Sequence, residues 1–329
     1  MNTLLIQPLP LARSLPHSTA ITSTGSSLEH YTPESWEREY RARRYLGRAS
    51  QCVLESRYRS ILQNLVTIVS TERDVIPLTS ALSSWYWFRK EHQTRLEFSL
   101  RQAPVAVPEL PLYSARIGPA KPEYPNAGDV LFRYGKKNNL QQMLNDGVVR
   151  LGSATSYAQM ENDAARQDDE VTKISFLPGE YARVTTMTGR EIPVMGDITR
   201  KTSTSNYYLL CLSSEWDPQL FTALKGADSC LVMRGWERLH KRLSDACEKA
   251  FPGCISSLVP VHYFDPYDLT AREPSLPILL KDFRFAYQQE WRFICVPQNH
   301  EPPQQAIFLN VGPLTDLAEI FYSTWESPQ

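Results

Sequence analysis

What the sequence lacks narrows the classes of protein that it can encode. Its six cysteines contain no Cys-x-x-Cys pair and its six histidines no His-x-x-x-His spacing, the arrangements that compact zinc sites favour. No apolar run reaches the ~18 residues that a membrane-spanning helix needs. The sequence also lacks an excess of either charge, since it has 35 basic and 36 acidic residues. The sequence therefore argues against a compact zinc site, a membrane partner and attraction to nucleic acid through overall charge.

What is present indicates a soluble globular protein. The 329 residues are 42% hydrophobic and 11% aromatic, which is enough for one large domain or two ordinary ones with real cores. Cysteines without a pairing pattern favour reduced, mostly buried thiols. Such thiols are typical of a protein that acts in the cytoplasm.

The first 31 residues offer little that could be buried. They contain several prolines and a run of serine and threonine over residues 18–27, so we predict a disordered leader over residues 1–31. Two interpretations stay open, a plain tail and an export or organelle address. The second would allow secretion into a target cell.

A helical domain is predicted over residues 32–102. Thr32 can cap a helix with Pro33 at its first position, and apolar residues then recur at steps of three and four. A break is expected near Gly47, and a further helix over residues 78–100. The arginine-rich first helix leaves RNA or an acidic partner open, although arginines on a helix usually form a solvated face.

Six prolines fall between residues 103 and 126. Proline sustains neither a helix nor a central strand, so we predict a proline-rich linker over residues 103–128, at which the two parts should be separable.

The pattern of the remaining residues, 129–329, predicts many short strands with interspersed helices. Val130 starts a strand, Asn138 or Asn139 can cap the next helix, and Gly147 ends that helix in the left-handed region. Two helices are expected, at residues 216–224 and 235–251. Further strands are expected at residues 148–153, 171–176, 181–187, 191–195, 207–213, 229–233, 258–264, 290–296, 307–311 and 320–325. The expected fold class is α+β, an N-terminal helical domain followed by a mixed, mainly antiparallel β domain.

An acidic segment spans residues 161–170. It lacks the spaced glycines of an EF-hand loop, so a surface helix or a loop facing a substrate is favoured over a metal site. We therefore expect no metal.

Three sets of residues carry a resemblance to a known family. Arg133 closes a first strand, Ser153-Ala154-Thr155-Ser156 closes a second, and Gln288-Gln289-Glu290 leads a late strand. In type and order they resemble the Arg, Ser, Glu signature of the ADP-ribosyltransferase superfamily. About half of the chain is also similar to uncharacterised bacterial toxin-like ADP-ribosyltransferases.

The resemblance implies a role for each position. Arg133, with its neighbour Tyr134, would hold the phosphates of NAD, the substrate that serves as cofactor. Glu290 would be the catalytic acid that holds the ribose 2′-hydroxyl, and Gln288 would bear on the acceptor. The nicotinamide pocket would be supported by Ser153, Thr155 and Ser156, with Ser153 and Ser156 both candidates for the pocket serine.

The implied activity is NAD-dependent transfer of ADP-ribose to a macromolecule. A protein acceptor is favoured over nucleic acid, and the role would be that of a toxin or secreted virulence effector. The resemblance also implies that the second of the two domains is the catalytic one and has an ADP-ribosyltransferase-like fold. A planar guanidinium suits a two-pronged phosphate contact, and a fixed carboxylate suits a positively charged ribose. Two alternatives remain, a non-catalytic interaction protein on the same fold and a nucleic-acid-modifying or defence enzyme.

Overall fold

The computed structural model describes residues 4–8, 32–70, 84–105, 130–159, 165–217, 219–267, 276–298 and 305–322. Over these residues the protein is mixed α+β, and its largest sheet has eight strands joined by antiparallel pairs.

The helices and strands have the following bounds. The helices are α1 (Pro33–Arg43), α2 (Gln51–Ser70), α3 (Ser84–Leu100), α4 (Lys137–Asp146), α5 (Ala154–Tyr157), α6 (Gln219–Ala223) and α7 (Trp236–Ala250). The strands are β1 (Leu4–Pro8), β2 (Val130–Gly135), β3 (Val148–Ser153), β4 (Thr172–Leu177), β5 (Ala182–Thr186), β6 (Glu191–Ile192), β7 (Ile198–Ser203), β8 (Tyr208–Ser213), β9 (Ser229–Arg234), β10 (Ile255–Pro260), β11 (His262–Phe264), β12 (Leu280–Asp282), β13 (Glu290–Val296), β14 (Ile307–Asn310) and β15 (Ala318–Tyr322). A 3-10 helix over Phe283–Gln288 precedes β13.

The large sheet forks at β8. One edge of β8 pairs with β13, which pairs in turn with β10. The other edge is shared, because Ser213 pairs with Phe132 of β2 whereas Leu209 pairs with Gly152 of β3. Strand β2 pairs with β9, which pairs in turn with β15, and β3 pairs with β14. Two arms of the sheet therefore diverge from one strand and leave a cleft between them.

Helix α4 joins the two arms. It ends as predicted at Gly147, whose φ is +67° and whose missing Cβ would lie 2.1 Å from the backbone oxygen of Gly312. It begins earlier than predicted, at Lys137, so Asn138 and Asn139 do not cap it. The cap comes from elsewhere in the chain, since the Lys137 amide donates to Asp228 Oδ1 at 2.6 Å. A cap supplied from 91 residues away leaves no local pattern in the sequence.

The main core lies against one face of the sheet. It contains apolar side chains from β2, β3, β8, β9 and β13, together with α4 and α7. Val149 and Leu151 of β3 are fully buried and share one face of that strand. A second cluster covers the other face of β2, where Phe132 and Tyr134 contact Trp216.

Helices α2 and α3 pack on the 3-10 helix that precedes β13. A buried cluster joins Ile61, Leu65 and Trp87 to Phe283 and Ala286. The rings of Trp87 and Phe283 are stacked, with centroids 5.6 Å apart and an interplanar angle of 16°. The helical region therefore shares a core with the β part.

A buried ion pair strengthens the same contact. Both terminal nitrogens of Arg57 lie 2.7 Å from the carboxylate of Asp265, and Lys90 Nζ lies 3.0 Å from it. Burial by itself raises the pKa of Asp265, but the charges of Arg57 and Lys90 outweigh burial and lower it well below its usual range. The boundary of a helical domain at residues 32–102 stays a prediction, and most of the predicted linker, residues 106–128, lies outside the described residues.

Residues 4–8 depart from the expected disordered leader. They form β1, which pairs antiparallel with β5 over five residues. Without β1, strand β5 would lie at the edge of its sheet, and the unpaired backbone groups of an edge strand can bind another segment whatever its side chains. Composition alone therefore does not reveal this pairing. The rest of the leader, residues 1–3 and 9–31, lies outside the described residues.

Other predictions are confirmed with small changes. Thr32 caps α1 and Pro33 is its first residue, and the chain leaves the helical conformation around Gly47. The single strand predicted at 258–264 is instead two, β10 paired with β13 and β11 paired in parallel with β12. Strands β7 and β12 were not predicted. Within the described part of the chain, every helix is too short or too polar to cross a bilayer.

Candidate functional site

The cleft in the forked sheet holds a cavity of about 440 Å³. Strand β2 lines one side, β3 and β14 line the other, and β8 lies between them. Small-molecule sites usually have volumes of roughly 300–1,000 Å³, so the cavity is of ordinary size for one.

The described residues around the cavity have a strong excess of positive charge. Six of them are cations, whereas Glu290 alone is an anion. The cations are Arg133, Lys136, Arg150, Arg166, Lys225 and Lys281. Because the whole chain has a net charge of only -1, this excess is local to the cleft. A cleft lined by one sign of charge concentrates ligands of the other sign, so the cavity favours an anionic ligand.

Arg133 lies on the cavity side of β2. Its neighbours Phe132 and Tyr134 also border the cavity, and their rings belong to the second core cluster, on the other face of the strand. Among the described residues the Arg133 side chain makes one hydrogen bond, from Nη1 to the backbone oxygen of Cys211 at 2.6 Å. A guanidinium has five N–H donors, so most of this group is available to a ligand.

Glu290 lies on the opposite side of β8. It pairs with Ser213 of β8, which pairs in turn with Phe132 of β2. Two strand spacings, roughly 10 Å, therefore separate Glu290 from the strand that carries Arg133. The structure thus brings these two predicted residues to one cavity.

Glu290 is held in two ion pairs. Lys281 Nζ contacts its Oε2, and Arg292 Nε donates to its Oε1 at 2.9 Å. Burial by itself raises the pKa of Glu290, but the charges of Lys281 and Arg292 outweigh burial and lower it to about 2. The carboxylate is ionised at neutral pH, and its side chain is only 2% exposed.

The ion pairs extend into a larger buried network. Arg292 Nη2 lies 2.8 Å from Glu170, and Lys173 Nζ lies 3.1 Å from Asp168 and 3.7 Å from Glu170. Together with Glu290 and Lys281, this makes three carboxylates and three cations. Burial raises the pKa of Glu170, so Glu290 is the stronger acid of the two carboxylates beside Arg292. The balance of charges allows so many ionised groups to share one interior region.

Glu170 is a site residue that the sequence did not reveal. It ends the acidic segment that we expected on the surface or facing a substrate, yet it is buried against Arg292. Its neighbour Asp169 is exposed and accepts hydrogen bonds from nearby backbone amides. Nothing in the local pattern distinguishes the buried Glu170 from the exposed Asp169, because Arg292, the cation nearest to Glu170, lies 122 residues further along the chain.

Gln288 reaches the cavity at the end of the 3-10 helix. Its Nε2 donates to the backbone oxygen of Ala165 at 2.7 Å. The bond ties the segment before Glu290 to the middle of the acidic segment. Gln288 thus lies beside Glu290 in the cavity wall, and a role toward the acceptor stays a prediction.

The serine cluster has a different position from the one expected. Ser153 is fully buried, accepts from Asn206 Nδ2 at 2.9 Å and lies 3.0 Å from Thr155 Oγ1. Ser156 Oγ donates to the Ser153 backbone oxygen at 2.7 Å. None of the three lines the cavity. They fix the end of β3, and contact with nicotinamide stays a prediction that this arrangement does not favour.

Tyr157 reaches the cavity from the end of this cluster. Its ring lies over Gly152, where a Cβ would come within 2.7 Å of a ring carbon. Glycine at position 152 therefore lets the ring line the cavity beside β3. Tyr134, also predicted to bind NAD, is 4% exposed, and its ring packs 5.0 Å from that of Phe221.

The cavity offers no activated thiol. Burial raises the pKa of Cys211 to about 12, so its thiol is protonated at neutral pH. In the described ranges, no group of three or more His, Cys, Asp or Glu side chains could hold a metal ion.

Comparison with known proteins identified no matching family model, no matching curated protein and no matching solved structure. The function is therefore argued from the site itself.

Proposed function

We propose that the cavity binds NAD and that the protein is an NAD-dependent ADP-ribosyltransferase with a fold of that type behind its helical region. One observation carries the proposal. Six cations surround a cavity that reaches from Arg133 on β2 to the ionised Glu290 on β13.

The cations support the binding of a pyrophosphate. Arg133 offers a planar group with donors that are not used within the described protein, and such a group can contact two phosphate oxygens at once. Lys136 and Lys225 line the same cavity and add two further positive charges to it. A dinucleotide with two linked phosphates can pair with more of these cations than a ligand with a single carboxylate can.

Glu290 supports the chemical step. In the proposed reaction the bond between the ribose carbon and the nicotinamide nitrogen breaks, and nicotinamide leaves with the electron pair. The acceptor nucleophile then forms a bond to that carbon and loses a proton. A fixed carboxylate stabilises the positive charge that develops on the ribose. Because Lys281 and Arg292 offset part of the charge of Glu290, we expect weaker stabilisation than an unpaired carboxylate would give.

We further propose a protein acceptor and action in the cytoplasm. Gln288, next to Glu290 in the cavity wall, is the residue proposed to face the acceptor. A role as toxin or secreted effector rests on the resemblance to bacterial ADP-ribosyltransferases.

A second function is favoured by one specific feature. The Glu290 side chain is only 2% exposed and contacts two cations, which suits a structural carboxylate better than a reactive one. The alternative is a non-catalytic protein that binds a phosphate-bearing nucleotide in the same cavity.

One experiment separates the two. The purified protein is incubated with NAD labelled in its adenylate part, with and without a cell lysate, and released nicotinamide is measured together with label in protein, nucleic acid and free ADP-ribose. Nicotinamide release with label in protein supports the proposal, and label in nucleic acid would replace the protein acceptor. Binding of NAD without nicotinamide release supports the alternative, and absence of binding contradicts both.

A further inference from the structure

Phe308 on β14 is an apolar side chain in an unusual position. It is 65% exposed, whereas its neighbour Leu309 is 6% exposed and belongs to the main core. Strand alternation thus turns Leu309 inward and Phe308 toward the cavity, which Phe308 lines. Single exposed apolar residues are common on proteins, so the position of this one, rather than its exposure, carries the argument.

Arg150 lies directly opposite Phe308. The two residues are register partners in the antiparallel pair of β3 and β14, and both line the cavity. Side chains opposite each other in such a pair have Cβ atoms about 4.5–5.5 Å apart. An exposed aromatic ring and an exposed guanidinium therefore stand side by side on the same wall.

We propose that Phe308 and Arg150 form a stacking platform for the adenine base of the ligand. The inference rests on the proposed function, because it names the part of NAD that this wall receives. Aromatic rings and guanidinium planes both stack on bases. A wall with both recognises a planar ring attached to phosphates, which an inorganic anion lacks.

The order of strands decides which ring lies there. Glu290 is on β13, and β8 and β3 lie between β13 and β14. Three strand spacings, roughly 14 Å measured across the sheet, separate Glu290 from the strand of Phe308, and two spacings, roughly 10 Å, separate it from the strand of Arg150. If Glu290 contacts the ribose that loses nicotinamide, the ring at the far wall is the adenine.

The test compares ligands with and without a base. Calorimetry measures the binding of ADP-ribose, which has the base, and of pyrophosphate, which has none, to the full-length protein and to Phe308→Leu. We expect the wild type to bind ADP-ribose more tightly than pyrophosphate. In Phe308→Leu the ADP-ribose affinity should fall about fivefold or more, the lower end of what base stacking contributes, while the pyrophosphate affinity is unchanged.

Two further variants control for the ring itself. Phe308→Trp keeps an aromatic face and should retain the ADP-ribose affinity. Tyr322→Leu removes another exposed ring, 46% exposed on β15 and outside the cavity wall, and should change neither affinity. Unfolding of each variant is followed in parallel, and all should remain folded, although Tyr322→Leu also loses surface contacts with Lys137 and Gln141.

The outcomes distinguish the platform from the proposed function. Equal ADP-ribose affinity in wild type and Phe308→Leu overturns the platform and leaves the NAD site standing. An ADP-ribose affinity no higher than that of pyrophosphate also overturns the platform. A wild type that binds neither ligand overturns both.

Discussion

Trp87 on α3 stacks face to face on Phe283, the first residue of the 3-10 helix that leads to Glu290. Asn64 on α2 adds a hydrogen bond from its Nδ2 to the backbone oxygen of Arg284 at 3.1 Å. The N-terminal helices thus hold the segment that presents Gln288 and Glu290 to the cavity. Their packing bears on the site although none of their described residues lies in its wall.

The first prediction concerns this support. Trp87→Ala should lower the free energy of unfolding by about 3–5 kcal/mol, because a buried large ring is removed and a cavity remains. Urea denaturation measures the change. The control is Val53→Ala on α2, where the side chain is 37% exposed and a change below about 0.5 kcal/mol is expected.

A truncation extends the same prediction. A fragment that starts near residue 125 lacks Trp87 and also Arg57 and Lys90, so it exposes Phe283 and deprives Asp265 of both its cations. We now expect such a fragment to be unstable or to aggregate, contrary to the separable domains that the prolines suggested. A soluble, folded fragment with full NAD affinity would restore the two-domain interpretation.

The second prediction concerns Arg133. Arg133→Lys keeps the charge but loses the two-pronged phosphate contact, so NAD affinity should fall about tenfold or more, since a hydrogen bond to a charged group contributes about 1.5–3 kcal/mol. Calorimetry measures the affinity, and circular dichroism checks the fold. Arg59→Lys, an exposed change on α2, is the matched control. An unchanged affinity in Arg133→Lys would make Arg133 a structural strand-end residue.

The third prediction concerns the pH dependence of stability. Glu290 has a pKa of about 2 in the folded protein against an ordinary value of 4.5, so it stabilises the fold above pH 4.5 and loses this effect as the pH falls through 2. Glu290→Gln should therefore lower the free energy of unfolding by about 3 kcal/mol at pH 7. The difference between the two proteins should shrink from pH 4.5 downward. A difference that is the same at pH 7 and pH 3 would contradict an ionised, paired Glu290.

The same variant tests the chemistry. If Glu290 stabilises the transition state, nicotinamide release should fall about 10²–10³-fold while NAD binding remains. Release at the wild-type rate would remove Glu290 from the reaction and favour its structural role with Lys281 and Arg292.

The fourth prediction concerns the cavity wall at Gly152. Gly152→Ala places a methyl group within 2.7 Å of the Tyr157 ring, so the ring must shift, and the fold should lose about 1–3 kcal/mol. Gly196→Ala is the matched control, because nothing lies within 4 Å of that position. The double change Gly152→Ala with Tyr157→Leu should recover part of the loss. Thermal unfolding of these three variants and of the wild type decides whether the ring is the cause.

Local signals explain which parts of the fold could be predicted. The Thr32 cap, the Gly147 stop of α4 and the apolar run that became β8 each act over a few residues, so the sequence shows them directly. The α+β class and the antiparallel sheet follow from many such elements. The fork at β8 does not follow from such local elements, because it depends on which strands pair with the same edge of β8.

Distant partners explain what could not be predicted in the site. The resemblance brought attention to Arg133 and Glu290, and the structure brings both to one cavity. The resemblance did not reveal that Glu290 contacts Lys281 and Arg292, nor that Ser153 binds Asn206 away from the cavity. Burial and pairing of a charge depend on the assembled fold, and residue type and order do not determine them.

The pair formed by Arg57 and Asp265 spans 208 residues of sequence. At a synthesis rate of about 5–20 residues per second, Arg57 leaves the ribosome roughly 10–40 seconds before Asp265 is made. During that time α2 lacks the carboxylate that its buried guanidinium requires, and Trp87 lacks the ring of Phe283. The helices that come first in the chain can thus complete their packing only among the last, which makes the nascent N-terminal half a candidate for binding by chaperones.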